Sequence, residues 1–336
     1  MPIEFTALSQ IAGLADTLPT ADAASQEGAQ ARQNQLTKPP GSLGKLEDIA
    51  IFMAGWQKTD RPAINTAQAL VFAGNHGICD QGVNPFPQAV TAQMVMNFEA
   101  GGAAINQLCR ANGADLTVVP LDLDIPTQDF TKAPAMTEAE TLAALTTGAA
   151  SVDTGADILL LGEMGIGNST IAAAMACASF GGDPADWVGA GTGSDAEGMA
   201  LKALVIADGI ARHGTDDPIR TLANLGGRAQ AAICGAVLAA RAACIPVLLD
   251  GYICTAAVAP LAAANPALLD HCLVGHASAE PGHARLTKAM GKPPVLDFAM
   301  RLGEGTGAAL ALGIVKSALA CHNGMATFAE AGVADG

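Results

Sequence analysis

The sequence predicts an α/β protein with a mainly parallel sheet, and two features of the chain carry this prediction. Short runs rich in leucine and β-branched residues alternate with longer alanine-rich helical patterns, which is typical of parallel strands joined by helices. The short runs are apolar throughout, so we expect helices to cover both faces of the sheet. The predicted strands span residues 69–73, 116–121, 157–161, 245–249 and 272–275.

Helical patterns occupy intervals between these strands and both ends of the chain. Within the central region they span residues 88–111, 137–152, 170–179 and 228–244. The N-terminal segment lacks a convincing strand, and the C-terminal segment has a helical pattern. We therefore expect a small helical domain formed by residues 1–60 and 305–336, and a large α/β substrate-binding domain formed by residues 61–304.

The chain is acidic and apolar, which argues against several classes of function. Its 336 residues include 17 Lys and Arg against 32 Asp and Glu, a formal net charge of −15. Nucleic acids and anionic membranes attract basic surfaces, so we expect neither as a partner. The longest apolar run, residues 231–249, contains Arg241 and Pro246. We interpret it as a buried helix followed by a strand, not as a membrane span.

The N-terminus and the cysteines predict a cytoplasmic protein. The first ten residues, MPIEFTALSQ, lack the basic and apolar segments of a secretory signal. The eight cysteines form no CxxC pair and lie mostly within apolar segments. Such cysteines are typical of buried, reduced thiols and not of disulfides or zinc sites.

Glycine-rich or polar clusters follow four of the predicted strands. They span residues 74–77, 162–170, 250–255 and 276–283. In open parallel sheets, ligands bind at the carboxyl ends of the strands. Glycine at these positions lets the backbone approach a ligand closely. The sequence therefore predicts a binding site at this edge of the sheet.

The cluster at residues 162–170, GEMGIGNST, leads into a helix that we expect to begin at Asn168 or Ser169, both good N-caps. Backbone amides at a helix start attract phosphate, so the loop is either an anion site or a simple tight turn. Its spacing matches neither a Walker A loop nor a dinucleotide fingerprint. A second cluster, residues 189–195, precedes a helix carrying Lys202. This lysine would either reach an anion or lie in solvent.

Three potential metal ligands, His276, Glu280 and His283, follow the last predicted strand. Pro281 and Gly282 interrupt their spacing, so they cannot form one helical zinc-binding face. We expect a polar loop that contacts a ligand, and neither a metal nor an organic cofactor.

Glu304 lies between glycines, just before an apolar helix. One interpretation is a carboxylate that stabilises the helix start. The other is a general base, because flanking glycines would let a substrate approach the carboxylate. Phe298 and Leu302 would then form an apolar wall that raises its pKa.

Eight motifs taken together resemble one known family. The chain is similar to the nicotinate-nucleotide–dimethylbenzimidazole phosphoribosyltransferases over residues 36–333. Any single motif is weak evidence, whereas eight in the right order are highly specific. They read LTKPPGSLGKLEDIA, GNHGICDQGVNPFPQAVTAQMVMNFEAGGAAINQL, LLLGEMGIGNSTIAAA, GAGTGSDAEGMALK, IPVLLDGYICTAA, GHASAEPGH, MRLGEGTGAALAL and MATFAEAGV.

The resemblance implies a reaction, a fold and a set of site residues. Nicotinate mononucleotide and 5,6-dimethylbenzimidazole would give α-ribazole 5′-phosphate and nicotinate in cobalamin synthesis. The fold would be a homodimer with a Rossmann-like sheet and a small helical domain. The family's catalytic base corresponds to Glu304. Its benzimidazole pocket corresponds to Gln88, Met164 and Leu302. Its phosphate and ribose contacts correspond to Glu163, Gly165, Ile166, Gly167, Asn168, Ser169, Thr170, Lys202 and Ser278.

The chain departs from the commoner family pattern at four positions. Asn75, Ala229, Cys254 and Ala277 stand where Asp, Glu, Ser and Arg are usual. These departures leave the choice of aromatic base open among adenine, benzimidazoles and phenols. Two other functions also remain open, a non-catalytic nucleotide- or azole-binding protein and a nucleotide N-glycosidase.

Overall fold

Five parallel strands form the centre of the protein, in the order β2-β1-β3-β4-β5. The structure is a computed structural model that describes residues 3–191 and 193–334. Thr192 of the second glycine cluster lies outside the described residues, as do residues at both ends of the predicted helical domain. The strands are β1 (Ala67–Ala73), β2 (Asp115–Pro120), β3 (Ile158–Met164), β4 (Val247–Leu249) and β5 (Cys272–Val274).

Each predicted strand overlaps an observed one, which confirms the parallel α/β fold. Two boundaries differ in ways that matter. Strand β3 continues to Met164, so Glu163 lies within the sheet instead of in the following loop. Strand β4 begins only at Val247, because the backbone N–H of Ile245 still bonds to the Ala240 carbonyl at the end of the preceding helix.

Helices join the strands and form both ends of the described chain. They are α1 (Ala23–Gln35), α2 (Lys45–Gln57), α3 (Ala89–Glu99), α4 (Ala104–Asn112), α5 (Glu138–Ala150), α6 (Asn168–Phe180), α7 (Ala196–His213), α8 (Pro218–Leu225), α9 (Arg228–Ala242), α10 (Tyr252–Ala257), α11 (Ala259–Ala264), α12 (Pro281–Ala289), α13 (Thr306–Gly324) and α14 (Phe328–Ala331).

The single helix predicted over residues 88–111 is wrong, because the structure has two helices there. Gly101 adopts a φ of +78° after α3. This left-handed backbone conformation ends a helix and favours glycine. The Gly102 N–H then bonds back to the carbonyl of Asn97. The chain thus turns between α3 and α4, and both helices pack against β2.

Side chains of the strands alternate between two buried layers, as a period of two requires. Leu70, Phe72 and Leu161 pack into the layer that includes α6 and α9. Val71 and Leu160 point to the opposite face, where α13 packs against β3 and β4. Helices on both faces explain why the strands are apolar throughout.

The two ends of the chain meet. Helix α2 packs against both α1 and α13, and the Arg32 guanidinium donates to carbonyls of His322, Asn323 and Met325. Because α13 also packs on the sheet, the division into two domains near residues 60 and 305 stays a prediction. No helix within the described residues is long and apolar enough to cross a membrane.

Candidate active site

A cleft lies at the carboxyl edge of the sheet, beside the ends of β3 and β4. It contains about 700 Å³ of empty space, counting its open mouth. The strand order reverses between β1 and β3, and ligands of open α/β sheets bind at such a switch point. Of the thirteen residues that the family resemblance assigned to the site, nine line the cleft: Glu163, Gly165, Ile166, Gly167, Asn168, Ser169, Lys202, Ser278 and Leu302.

Four other predicted residues do not line this cleft. Met164 ends β3 and packs against the core on the α13 side of the sheet. Thr170 is fully buried in the first turn of α6. Gln88 precedes α3 and is half-buried. Glu304 follows Gly303, which is itself a lining residue.

The loop before α6 has the geometry expected of an anion site. Gly167 adopts a φ of +98°, and the helix begins at Asn168 as predicted. The Asn168 side chain does not cap the helix. A Cβ on Gly165 would lie 2.4 Å from the carbonyl oxygen of Gly74. Glycine is therefore needed where this loop crosses the end of β1.

Lys202 lies at this helix start and not in solvent, which corrects the solvent-exposed alternative. Its side chain is buried, and Nζ lies 3.3 Å from Ser169 Oγ and 3.5 Å from the Gly189 carbonyl. Burial lowers the pKa of Lys202, while the Glu280 charge acts in the opposite direction. A buried cation beside the first turn of a helix suits a phosphate.

Glu163 lies deep in the cleft and holds a proton strongly. It is 5% exposed, and burial raises its pKa to about 8. A hydrogen bond from Asn168 opposes the rise, whereas the charges of Asp250 and Glu304 add to it. These three carboxyl groups form an acidic cluster beside the lysine-lined loop. Such a cluster favours a cationic ligand or transition state.

The raised pKa of Glu163 predicts that the ligand-free protein loses stability in alkali. The folded chain binds the Glu163 proton more tightly than the unfolded chain does. This stabilisation is fully present below pH 4.5, the ordinary pKa of a glutamate, and is lost as the pH rises through about 8. We expect the melting temperature to fall over this interval. Glu163→Gln should flatten the dependence, and calorimetry at several pH values measures it. An equal slope in both proteins would contradict the assigned burial.

Glu304 lies in a strained segment that two other residues hold in place. It has a φ of +64° between two glycines that are also left-handed, a conformation that is costly for a residue with a side chain. Its backbone passes so close to Gly162 that a Cβ there would lie 2.6 Å from the Glu304 carbonyl. The Asp250 carboxylate accepts hydrogen bonds from backbone N–H groups just after Glu304, those of Gly305, Gly307 and Ala308.

These contacts also separate the two interpretations of Glu304. Asp250 supplies the carboxylate at the start of α13, so Glu304 is not needed for that purpose. The Glu304 side chain is 7% exposed, and Oε2 has no hydrogen-bond partner among the described residues. Burial and the Asp250 charge raise its pKa, while the Ile105 backbone N–H lowers it. A buried carboxylate with one oxygen free of hydrogen bonds within the described residues is suited to accept a proton.

The prediction of an apolar wall beside Glu304 is wrong. Phe298 is 67% exposed and Leu302 is 58% exposed, so neither shields the carboxylate within this chain. Gly162 instead lies against the backbone of Glu304, and the Ile105 N–H bonds to its carboxylate.

His276, Glu280 and His283 have separate partners. Ser278 N–H donates to His283 Nδ1 at 2.8 Å, whereas His276 Nε2 lies 3.6 Å from Asp250 Oδ1. Glu280 Oε1 accepts a bond from the Gly191 N–H. Within the described part of the chain, no three His, Cys, Asp or Glu side chains are grouped to hold a metal ion. These residues shape the polar loop that carries Ser278 into the cleft.

Sequence reasoning missed three charged or polar residues of the site. Arg301 lines the cleft and donates to the Gly191 carbonyl at 2.8 Å. Asp250 also lines it and follows β4 directly, so its place at a strand end was a usable signal. His76 lies in the cluster after β1 and contacts Asn168. No local pattern distinguishes Arg301 from a surface arginine.

The four departures from the family pattern lie around the site and not at its charged groups. Asn75 donates to the Leu123 carbonyl, and Ala229 borders Gly74 at the end of β1. Cys254 lines the cleft, whereas Ala277 does not. The anion loop and Glu304 are therefore unaltered.

Comparisons with known proteins show the family of the chain. A family model described as phosphoribosyltransferase matches residues 18–333. A nicotinate-nucleotide–dimethylbenzimidazole phosphoribosyltransferase of Rhodobacter capsulatus is 63% identical over 331 residues, covering 98% of this chain and 99% of that protein. The enzyme of that name from Roseobacter denitrificans is 57% identical over the full length of both chains.

The structural comparison gives the same result. A crystal structure of the Thermus thermophilus nicotinate-nucleotide–dimethylbenzimidazole phosphoribosyltransferase superimposes with a TM-score of 0.87. It is 37% identical in sequence and covers 94% of this chain and 100% of its own. By sequence and by fold, the chain belongs to the nicotinate-nucleotide–dimethylbenzimidazole phosphoribosyltransferase family.

Proposed function

We propose that this chain transfers the 5-phosphoribosyl group of nicotinate mononucleotide to 5,6-dimethylbenzimidazole. The products are α-ribazole 5′-phosphate and nicotinate, a step in assembling the nucleotide loop of cobalamin. The names of the relatives support this choice of substrates. The observation that carries it is the pairing of a buried lysine at a helix start with a cluster of buried carboxyl groups in and beside one cleft.

The basic side of the cleft would hold the nucleotide phosphate. Lys202, Ser169 and the backbone of the loop before α6 converge there, and Arg301 approaches from the opposite loop. The phosphate takes no part in the chemistry. Its binding energy instead orients the anomeric carbon for attack.

The acidic side suits the reaction itself. The leaving nicotinate departs as a neutral pyridine nitrogen, so no general acid is required. A benzimidazole nitrogen attacks the anomeric carbon from the opposite face, which inverts β to α. Glu304 takes the proton from the other ring nitrogen, and the carboxyl cluster stabilises the cationic, oxocarbenium-like transition state. None of these steps uses a metal or an organic cofactor.

We also propose that the protein works as a homodimer in the cytoplasm, with the two-domain division described above. Leu302 lines the cleft, and both Leu302 and Phe298 are exposed, so a second copy would cover their apolar surface. The eight free cysteines suit a reducing compartment.

One product-resolved assay tests the proposed reaction. We expect nicotinate release only when dimethylbenzimidazole is supplied, together with stoichiometric α-ribazole 5′-phosphate. Release from the mononucleotide in water alone would indicate an N-glycosidase, and binding without release would indicate a non-catalytic protein. Competition among dimethylbenzimidazole, adenine and a phenol in the same assay identifies the preferred base.

A further inference from the structure

A chain of buried hydrogen bonds connects the end of β1 to the acidic side of the cleft. His76 follows β1, is fully buried, and contacts Asn168 Oδ1 through Nε2. The same Oδ1 accepts a bond from Gln230 Nε2 at 3.0 Å. Asn168 Nδ2 in turn donates to Glu163 Oε2. His76 does not line the cleft, so any effect on the reaction passes through this chain.

We propose that His76 is a positioning residue that, through Asn168, keeps the proton of Glu163 on the carboxyl oxygen that faces the cleft. The inference rests on the proposed function, because it assigns Glu163 a part in that reaction.

The orientation of the Asn168 amide follows from its neighbours. Two donors, His76 and Gln230, converge on one side of the amide, so its oxygen must lie there and its NH2 group must face Glu163. His76 is neutral and carries one ring proton, because burial lowers its pKa to about 4 and the nearby Arg228 charge adds to this effect. Its Nδ1 has no hydrogen-bond partner among the described residues. The single ring proton is therefore assigned to Nε2.

Glycine at position 227 makes room for this arrangement. A Cβ there would lie 2.3 Å from the His76 ring and 2.5 Å from Gln230 Oε1. The imidazole and the Gln230 amide can therefore sit side by side above Asn168. The two donors are thus held by packing, independently of any ligand.

The orientation decides where Glu163 carries its proton. Oε2 accepts the Asn168 amide, so a proton on the carboxyl group lies on Oε1. A Cβ placed on Gly303, a lining residue, would lie 2.8 Å from that Oε1. Glu163 thus presents its donor towards the cleft. If the amide turned, Asn168 Oδ1 would face Oε2 and draw the proton away from the substrate.

A double-mutant cycle tests whether His76 acts through Asn168. The variants are His76→Phe, Asn168→Ala and the two combined, assayed for kcat and for KM of nicotinate mononucleotide. We expect His76→Phe to lower kcat about tenfold or more with a change in KM of less than about twofold, because the phosphate anchor is untouched. The double variant should match Asn168→Ala alone. Additive losses, or a loss confined to KM, would overturn the proposal.

A conservative variant separates positioning from folding. His76→Gln keeps a side-chain NH2 that can donate to Asn168 Oδ1, so it should recover at least half of the wild-type kcat. If His76→Phe does not fold, His76→Asn, whose side chain is too short to reach Asn168, replaces it with the same expected outcomes. A His76→Gln protein that folds with the wild-type melting temperature but stays as inactive as the Phe variant contradicts the inference.

A spectroscopic readout distinguishes failure of this inference from failure of the proposed reaction. Carbon-13 NMR of the Glu163 carboxyl group follows its titration in the ligand-free protein, without any turnover. The titratable groups that interact with it include Asp250 at the end of β4, Glu304 before α13 and the Cys254 thiol of α10. Loss of the Asn168 donor in His76→Phe should raise the titration midpoint by about one pH unit. An unchanged midpoint would overturn the positioning role even if the wild-type protein proved to catalyse another reaction.

Discussion

Glu304→Gln is expected to reduce kcat by about 10²–10⁴-fold, the usual contribution of a general base. The amide keeps the size and hydrogen-bonding capacity of the side chain but cannot accept a proton from the attacking azole. Nucleotide affinity should change little, because the proposed phosphate anchor is formed by Lys202 and Ser169 and not by Glu304. Single-turnover rates and calorimetric titration with nicotinate mononucleotide measure the two effects separately.

A matched control and a pH profile sharpen this test. Glu27→Gln, an exposed glutamate in α1, should leave kcat unchanged. The raised pKa of Glu304 predicts that activity rises with pH through a midpoint above that of an ordinary carboxyl group, since the base must lose its proton first. Glu304→Gln should remove this acidic limb. Retained turnover in the variant would exclude Glu304 as the base.

Lys202→Met is expected to raise KM for nicotinate mononucleotide by about 10–100-fold. A hydrogen bond to a charged group contributes roughly 1.5–3 kcal/mol, and Lys202 is buried where such a bond is poorly screened. Methionine preserves most of the apolar stem, so the change isolates the charge. The effect should also be large on kcat/KM, because the anchored phosphate orients the sugar.

The specificity of this effect can be checked in two ways. Lys288→Met, at an exposed position in α12, should leave KM unchanged. Nicotinate riboside lacks the phosphate. Its KM should therefore be the same for the wild type and for Lys202→Met. If the riboside showed the same penalty, Lys202 would contribute to folding of the cleft and not to phosphate binding.

The general location of the site was predictable from sequence, whereas several of its contacts were not. The glycine clusters that follow apolar strands correctly predicted a cleft at the carboxyl edge of the sheet. The loop before α6 lines this cleft, as expected. The burial of Lys202 was not predictable, because it depends on a glycine segment that precedes α7 and folds over it. The same limit applies to Phe298 and Leu302, which were predicted to form an apolar wall beside Glu304 and are exposed.

The sequence by itself determined the strands, most of the helices and the order of the motifs, because these depend on local propensity and on periodicities of 2 and 3.6 residues. The tertiary structure decided the chemical state of the site. Glu163 and Glu304 have raised pKa values because segments distant in the chain exclude water from them and place Asp250 nearby. Likewise, Glu304 keeps its left-handed backbone because Gly162, on another element, leaves room for it. Desolvation and close approach arise between elements, so no local pattern in the chain encodes them.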